Sequence, residues 1–136
     1  MNAKSQMFAA LYLLLGTACA ANPSGPTIPS GQPFTLARGE AASIEGTSLR
    51  VRFLQVSGDS RCPADALCIQ GGDALVHIRA ENAGGDAEYE LHTGDSARAA
   101  AQHAGFRIEL VSLQPYPFSS RSIEADSYRA TLRVSR

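Results

Sequence analysis

The chain has 136 residues and a formal net charge of −1 at pH 7, from 12 lysines and arginines against 13 acidic residues. A balance this close to neutral excludes the basic surface on which nucleic-acid binding depends, so we expect no nucleic-acid partner. The 18% charged residues and 12 glycines are typical of an ordinary globular chain and exclude collagen-like, disordered and multi-span membrane proteins. The length predicts one domain.

The first 20 residues have the three regions of a secretory signal. Residues 1–6 are polar with a single lysine, residues 7–15 are apolar, and residues 16–20 are small. The apolar run is much shorter than the roughly 20 residues that span a membrane. It therefore predicts a signal that is cleaved rather than a membrane anchor.

Two cleavage sites fit this signal. The A-C-A sequence fits ordinary cleavage after Ala20, whereas L-G-T-A-C resembles a bacterial lipobox, in which Cys19 is lipidated and the signal ends at residue 18. The lipobox is imperfect, because Gly16 stands where a large aliphatic residue is usual.

Residues 19–33 are rich in Pro, Ser and Gly and show no apolar periodicity, so they cannot bury enough surface to offset their ordering entropy. A coil of this length spans about 20 Å. We expect a tether that holds a domain of residues 34–136 at a membrane. This favours lipid anchoring at Cys19 in the bacterial cell envelope, facing the periplasm or the exterior; the alternative is a soluble periplasmic protein.

Either cleavage leaves two cysteines in the domain, Cys62 and Cys68, in a compartment that permits disulfides. Their spacing is not the C-x-x-C of redox enzymes, and no second cysteine pair completes a metal site. We therefore expect a structural disulfide, which contributes about 2 kcal/mol by the chain-entropy estimate.

Alternating apolar and polar residues predict short strands. Together with glycine-rich turns they predict an all-β fold, a single antiparallel β-sandwich, immunoglobulin-like or similar, of about seven strands with one or two short helices at most. The predicted strands cover residues 34–36, 41–44, 49–56, 74–79, 88–92, 106–110 and 128–134.

Burial alone predicts the register of the hairpin around residues 84 and 85. Pairing Val76 with Leu91 places the large apolar side chains on one face, and it places His77 opposite Glu90 on the other.

One segment favours a helix. Residues 95–104 have an N-cap in Asp95, good helix formers and Gly105 at the C-cap position. Pro63 and Asp65 likewise favour one helical turn between the cysteines.

The segment between residues 59 and 73 is the most distinctive stretch and a candidate binding loop, with Asp59, Ser60, Arg61 and Asp73 as its polar residues. The structural alternative, which we favour, is that Asp59 and Ser60 bond local backbone amides, Arg61 covers an edge and the disulfide rigidifies the connection.

The D-S-R-C-P motif, the second cysteine and G-D-A together resemble a family of small bacterial exported proteins of uncharacterised function, many of them lipoproteins. The resemblance implies export, the disulfide and a β fold, and it implies no catalytic activity. The family carries an aromatic residue shortly after the second cysteine, where this chain has Gln70. The matching segments are residues 36–41, 49–53, 59–63, 68, 72–74, 113–115 and 128–130.

Glu88, Glu90 and His92 share one face of a predicted strand, with His77 across from them, so a metal site is conceivable. Same-face residues lie about 7 Å apart along a strand, which is awkward for a shared ion. We expect a solvated polar face and no metal.

Tyr116 lies between two prolines, and Phe118 follows the second of them. Displayed, they would form a patch for a partner; folded back, they would close one end of the core. With only four tyrosines and five phenylalanines in the chain, we expect the second arrangement.

Common catalytic motifs such as G-x-S-x-G, the P-loop and H-E-x-x-H are missing from the sequence. We therefore expect a monomeric, non-catalytic module without a cofactor, which binds an envelope protein or a small ligand. The alternatives are a metal or small-ligand binding protein, and an envelope hydrolase or protease inhibitor that uses residues 59–73.

Overall fold

Nine strands form two packed sheets in the computed structural model, which describes residues 25–136. One sheet has the order β1-β3-β4-β5-β6 and the other β2-β9-β8-β7. This confirms the all-β sandwich, with nine described strands rather than seven. The strands are β1 (Thr27–Ile28), β2 (Pro33–Ala37), β3 (Ala41–Ile44), β4 (Arg50–Asp59), β5 (Ala74–Asn82), β6 (Gly85–His92), β7 (Ala100–His103), β8 (Phe106–Gln114) and β9 (Arg129–Ser135).

The signal, Cys19 and the first part of the predicted tether lie outside the described residues. Within residues 25–136, no helix has the length and apolar character that crossing a membrane requires.

The core lies between the two sheets and follows the predicted alternation. Along β5, the side chains of Val76 and Ile78 are completely buried, and Leu132 of β9 is buried from the opposite sheet. The predicted hairpin register is confirmed, because Val76 pairs with Leu91 and His77 pairs with Glu90. Burial of one face thus selects the register, since a slip by one residue would expose every one of these side chains.

The predicted tether is too long at its carboxyl end. Thr27 and Ile28 form β1, which pairs in parallel with Ser43 and Ile44 of β3. The backbone N–H of Gly31 donates to the carbonyl of Val134 at 2.7 Å. A strand of two residues has no periodicity to detect, so the sequence pattern alone could not show that the domain includes these residues.

The predicted helix over residues 95–104 is wrong. Asp95 does act as a cap, since its side chain accepts from the N–H of Ala97, but only a 3-10 turn, Ser96–Arg98, follows. The chain then continues as β7, which pairs with β8, and Ala104 and Gly105 form the hairpin turn with positive φ values of 51° and 81°. Pairing with a neighbouring strand outweighs the helix propensity of the alanines.

Three connections leave the sheets at one end of the sandwich. Residues 60–73 join β4 to β5, residues 93–99 join β6 to β7, and residues 115–128 join β8 to β9. Between the cysteines, where one helical turn is predicted, the chain forms one hydrogen-bonded turn. The N–H of Ala66 donates to the carbonyl of Pro63 at 3.1 Å.

Candidate functional site

Arg61 is the centre of this end of the sandwich. Its side chain is buried, and its Nε and Nη2 donate to the two carboxylate oxygens of Asp59 at 2.8 and 2.7 Å. The same guanidinium donates to the carbonyls of Leu113 and Pro115 at 2.8 and 2.9 Å. The expectation that Arg61 covers an edge is therefore wrong: four hydrogen bonds draw it inward, and the guanidinium fork matches the carboxylate.

Asp59 is bound from several directions. It accepts the hydroxyl of Tyr128 at 2.9 Å and the backbone N–H of Arg61 at 3.2 Å, as expected for a local backbone contact. Burial raises the pKa of the Asp59 carboxyl, but the hydrogen bonds from Arg61 and Tyr128 outweigh it, so the pKa lies below its ordinary value. Burial and the bond to Asp59 raise the pKa of Tyr128 to about 12.

The segments 60–73 and 115–128 form one unit, which we call the loop pair. The N–H of Ala64 donates to the carbonyl of Pro117 at 2.9 Å, and both the N–H and the hydroxyl of Ser119 donate to the carboxylate of Asp65. These bonds lower the pKa of Asp65. The predicted disulfide between Cys62 and Cys68 is present and closes a ring within the first loop.

The loop pair displays large apolar side chains. Leu67 and Ile69 are fully exposed, and Tyr116 and Phe118 are 48% and 44% exposed. The expectation that these two aromatic rings close the core is therefore wrong. Tyr128, which is 7% exposed, takes that place, while the guanidinium of Arg61 lies 5.3 Å from the ring centre of Tyr116.

A cavity of about 540 Å³ opens between the loop pair, segment 93–99 and β8. Gly72 and Gly94 contribute to its wall, together with Val111 and Tyr116. Gly72 has a φ of +68°, and a Cβ there would lie 1.7 Å from the carbonyl oxygen of Ser60. Only glycine permits this close crossing of two backbone segments, so the wall has a fixed shape.

Asp73 is the last residue of the first loop and bonds the segments on both sides of it. Its backbone exchanges hydrogen bonds with the hydroxyl of Ser60, 13 residues away, rather than the local amide expected for Ser60. Its carboxylate accepts the N–H of Gly94 at 2.8 Å and contacts Nδ1 of His92 at 2.5 Å. Burial raises the pKa of Asp73, but the bonds from Gly94, His92 and Thr93 outweigh it, so the pKa lies below its ordinary value. Asp73 thus acts as an anchor for the backbone.

Ser57, His77 and Glu90 come together on the outer face of β4, β5 and β6, but not as a catalytic triad. The Ser57 hydroxyl lies 2.6 Å from Nε2 of His77, and a Glu90 oxygen lies 3.5 Å from the same nitrogen. A triad requires the nucleophile and the carboxylate on opposite ring nitrogens. In this cluster the hydroxyl and the carboxylate share one ring nitrogen, which is not the arrangement of a triad.

The four weak metal candidates, His77, Glu88, Glu90 and His92, do not converge on one point. Glu88 bonds the guanidinium of Arg79, and Glu90 bridges the two histidines. Across residues 25–136, no group of three or more His, Cys, Asp or Glu side chains is placed to hold a metal ion.

Residues from three of the motifs on which the expected resemblance rests meet in this site. Asp59 and Arg61 come from the D-S-R motif, Leu113 and Pro115 from L-Q-P, and Tyr128 from Y-R-A. Sequence reasoning missed this contact, although the three motifs could have suggested it. Comparison with protein-family models, curated proteins and solved structures found no match to this chain.

Replacing Arg61 by methionine should lower the free energy of unfolding by about 3 to 5 kcal/mol, because the buried carboxylate of Asp59 loses its partner. Urea unfolding measures this loss. The control is Arg38→Met, which removes an ion pair with Asp126 whose side chains are 42% and 88% exposed and should change stability much less. Equal effects of the two substitutions would contradict the assignment.

Alkaline titration tests the bond between Tyr128 and Asp59. Burial, and then the bond to Asp59, raise the folded pKa of Tyr128 to about 12, above the ordinary 10.0. The stability that depends on the neutral hydroxyl is therefore complete below pH 10 and is lost as the pH rises through 12. Phenolate absorbance should show a late-titrating component, which Tyr128→Phe removes. A folded protein without this late component would contradict the bond.

Proposed function

We propose that the protein is a non-catalytic binding module of the bacterial cell envelope, which docks a protein partner through the loop pair. One observation carries the proposal: within residues 25–136, every exposed large apolar side chain lies on the loop pair or on the adjoining strand β8. Scattered exposed apolar residues are normal, whereas their concentration on one surface is typical of an interaction site. The five residues are Leu67, Ile69, Val111, Tyr116 and Phe118.

The loop pair is also held together by contacts within the chain. The disulfide, the bonds between Asp65 and Ser119, and the contacts of Arg61 hold its backbone. A rigid surface loses little conformational entropy on association, which favours affinity.

A small ligand is the second candidate, and the cavity beside Tyr116 favours it. Its volume of about 540 Å³ lies within the range of small-molecule sites. A hydrolase has less support, because both nitrogens of His92, the histidine that lines this cavity, contact carboxylates of Asp73 and Glu90.

Export and lipid anchoring complete the proposal. The disulfide is typical of an oxidising compartment, and the predicted lipobox cysteine, Cys19, lies only a few residues before Gly25, the first described residue. The family resemblance supports the same location.

Intact-mass measurement of the protein purified from envelope membranes tests the anchor. We expect a chain that begins at Cys19 and carries additional fatty-acyl mass, because a doubly or triply acylated cysteine anchors stably. A chain that begins with an unmodified Ala21 would contradict lipid anchoring.

Quantitative crosslinking in intact cells tests the docking surface. The double substitution Leu67→Ser and Ile69→Ser should abolish a stoichiometric crosslinked complex that the wild-type chain forms, because it removes the two most exposed apolar side chains. The control, Ala83→Ser, adds the same hydroxyl in the turn at the other end of the sandwich and should leave the complex unchanged. A complex that survives the double substitution would contradict the proposed surface.

A further inference from the structure

We propose that the disulfide ring is an inhibitory loop, in which Leu67 enters the primary specificity pocket of a serine endopeptidase that prefers apolar side chains. The inference rests on the proposed function, because it names the class of partner that the loop pair would dock.

The shape of the loop carries the first step. Leu67 and Ile69 are each 105% exposed relative to a reference chain, so they stand on a protruding segment. Only a concave partner can bury such side chains. The substrate cleft of an endopeptidase is concave, binds a segment of backbone and receives one side chain in a pocket.

The second argument concerns the hydrogen bonds that hold the base of the loop. The N–H of Cys62 donates to the carbonyl of Gly71 at 2.9 Å, so the two ends of the segment are tied together. Ala64 and Asp65 are bonded to the neighbouring loop of the pair. The base of the loop on either side of the exposed residues is therefore held in place, which lowers the entropic cost of binding relative to a flexible substrate.

The position of the disulfide carries the third step. Hydrolysis of the peptide bond between Leu67 and Cys68 would add the hydroxyl of water to the Leu67 carbonyl carbon and a proton to the Cys68 nitrogen. That bond lies inside the ring closed by Cys62 and Cys68, so the two new ends would stay joined.

The partner's own serine forms the acyl-enzyme with Leu67 and releases the Cys68 amine. Because the disulfide keeps that amine beside the ester, it attacks the ester carbonyl, expels the serine oxygen and restores the peptide bond faster than water completes hydrolysis. The bond after Ile69 lies outside the ring and lacks this protection. Leu67, which is also not branched at Cβ, is therefore the residue assigned to the pocket.

Inhibition assays with chymotrypsin and trypsin test the proposal on the mature, disulfide-intact chain. We expect stoichiometric, slowly reversible inhibition of chymotrypsin by the wild type. Leu67→Lys should transfer the inhibition to trypsin, with a change in the inhibition constants of about 100-fold or more. The matched control, Ala83→Lys, places a lysine in the exposed turn at the other end and should not inhibit trypsin.

Mass spectrometry of the complex gives an independent readout. We expect a slow gain of one water in the unreduced chain, and after reduction a fragment that ends at Leu67. Circular dichroism should show that Leu67→Lys is folded, since the wild-type side chain is fully exposed.

The inference is overturned if Leu67→Lys does not inhibit trypsin. It is also overturned if the wild-type chain does not inhibit chymotrypsin, or if chymotrypsin cleaves the loop as fast as a substrate. Its failure is separable from that of the proposed function. If inhibition fails while the envelope complex still depends on Leu67 and Ile69, the docking surface stands; if neither depends on them, both proposals fall.

Discussion

The buried ion pair between Arg61 and Asp59 is the interaction on which the loop end of the sandwich depends. Burying two charges is costly, and attraction alone does not offset that cost. Here the guanidinium also donates to the carbonyls of Leu113 and Pro115, and the carboxylate accepts a hydrogen bond from the hydroxyl of Tyr128. One side chain therefore joins the end of β4 to the end of β8 and, through Asp59, to the start of β9, which connects the two sheets.

The exposed apolar side chains follow from this arrangement. Because Tyr128 fills the end of the core and bonds Asp59, the rings of Tyr116 and Phe118 are left outside. The loop that carries Leu67 is held by its own disulfide and by the neighbouring loop. The apolar side chains therefore stand on loops that are held by contacts within the chain.

Much of the sandwich was predictable from the sequence, because burial of one face imposes a period of two on strands such as β5 and β9. The two missed strands, β1 and β7, are very short or carry alanines that favour a helix locally, and only pairing with a neighbour defines them. The site was harder to predict. The two carbonyls that accept from Arg61 lie 52 and 54 residues away in the chain, so no local pattern predicts its burial.

Amide hydrogen exchange in an Arg61→Lys variant tests the central claim most directly. Lysine keeps the charge for Asp59 but lacks the planar fork that reaches both carbonyls. If Arg61 holds the loop pair together, the N–H groups of Ala64 and Ser119, which bond across the two loops, should lose protection while that of Val76 in the core retains it. Unchanged protection at Ala64 and Ser119 would contradict the account.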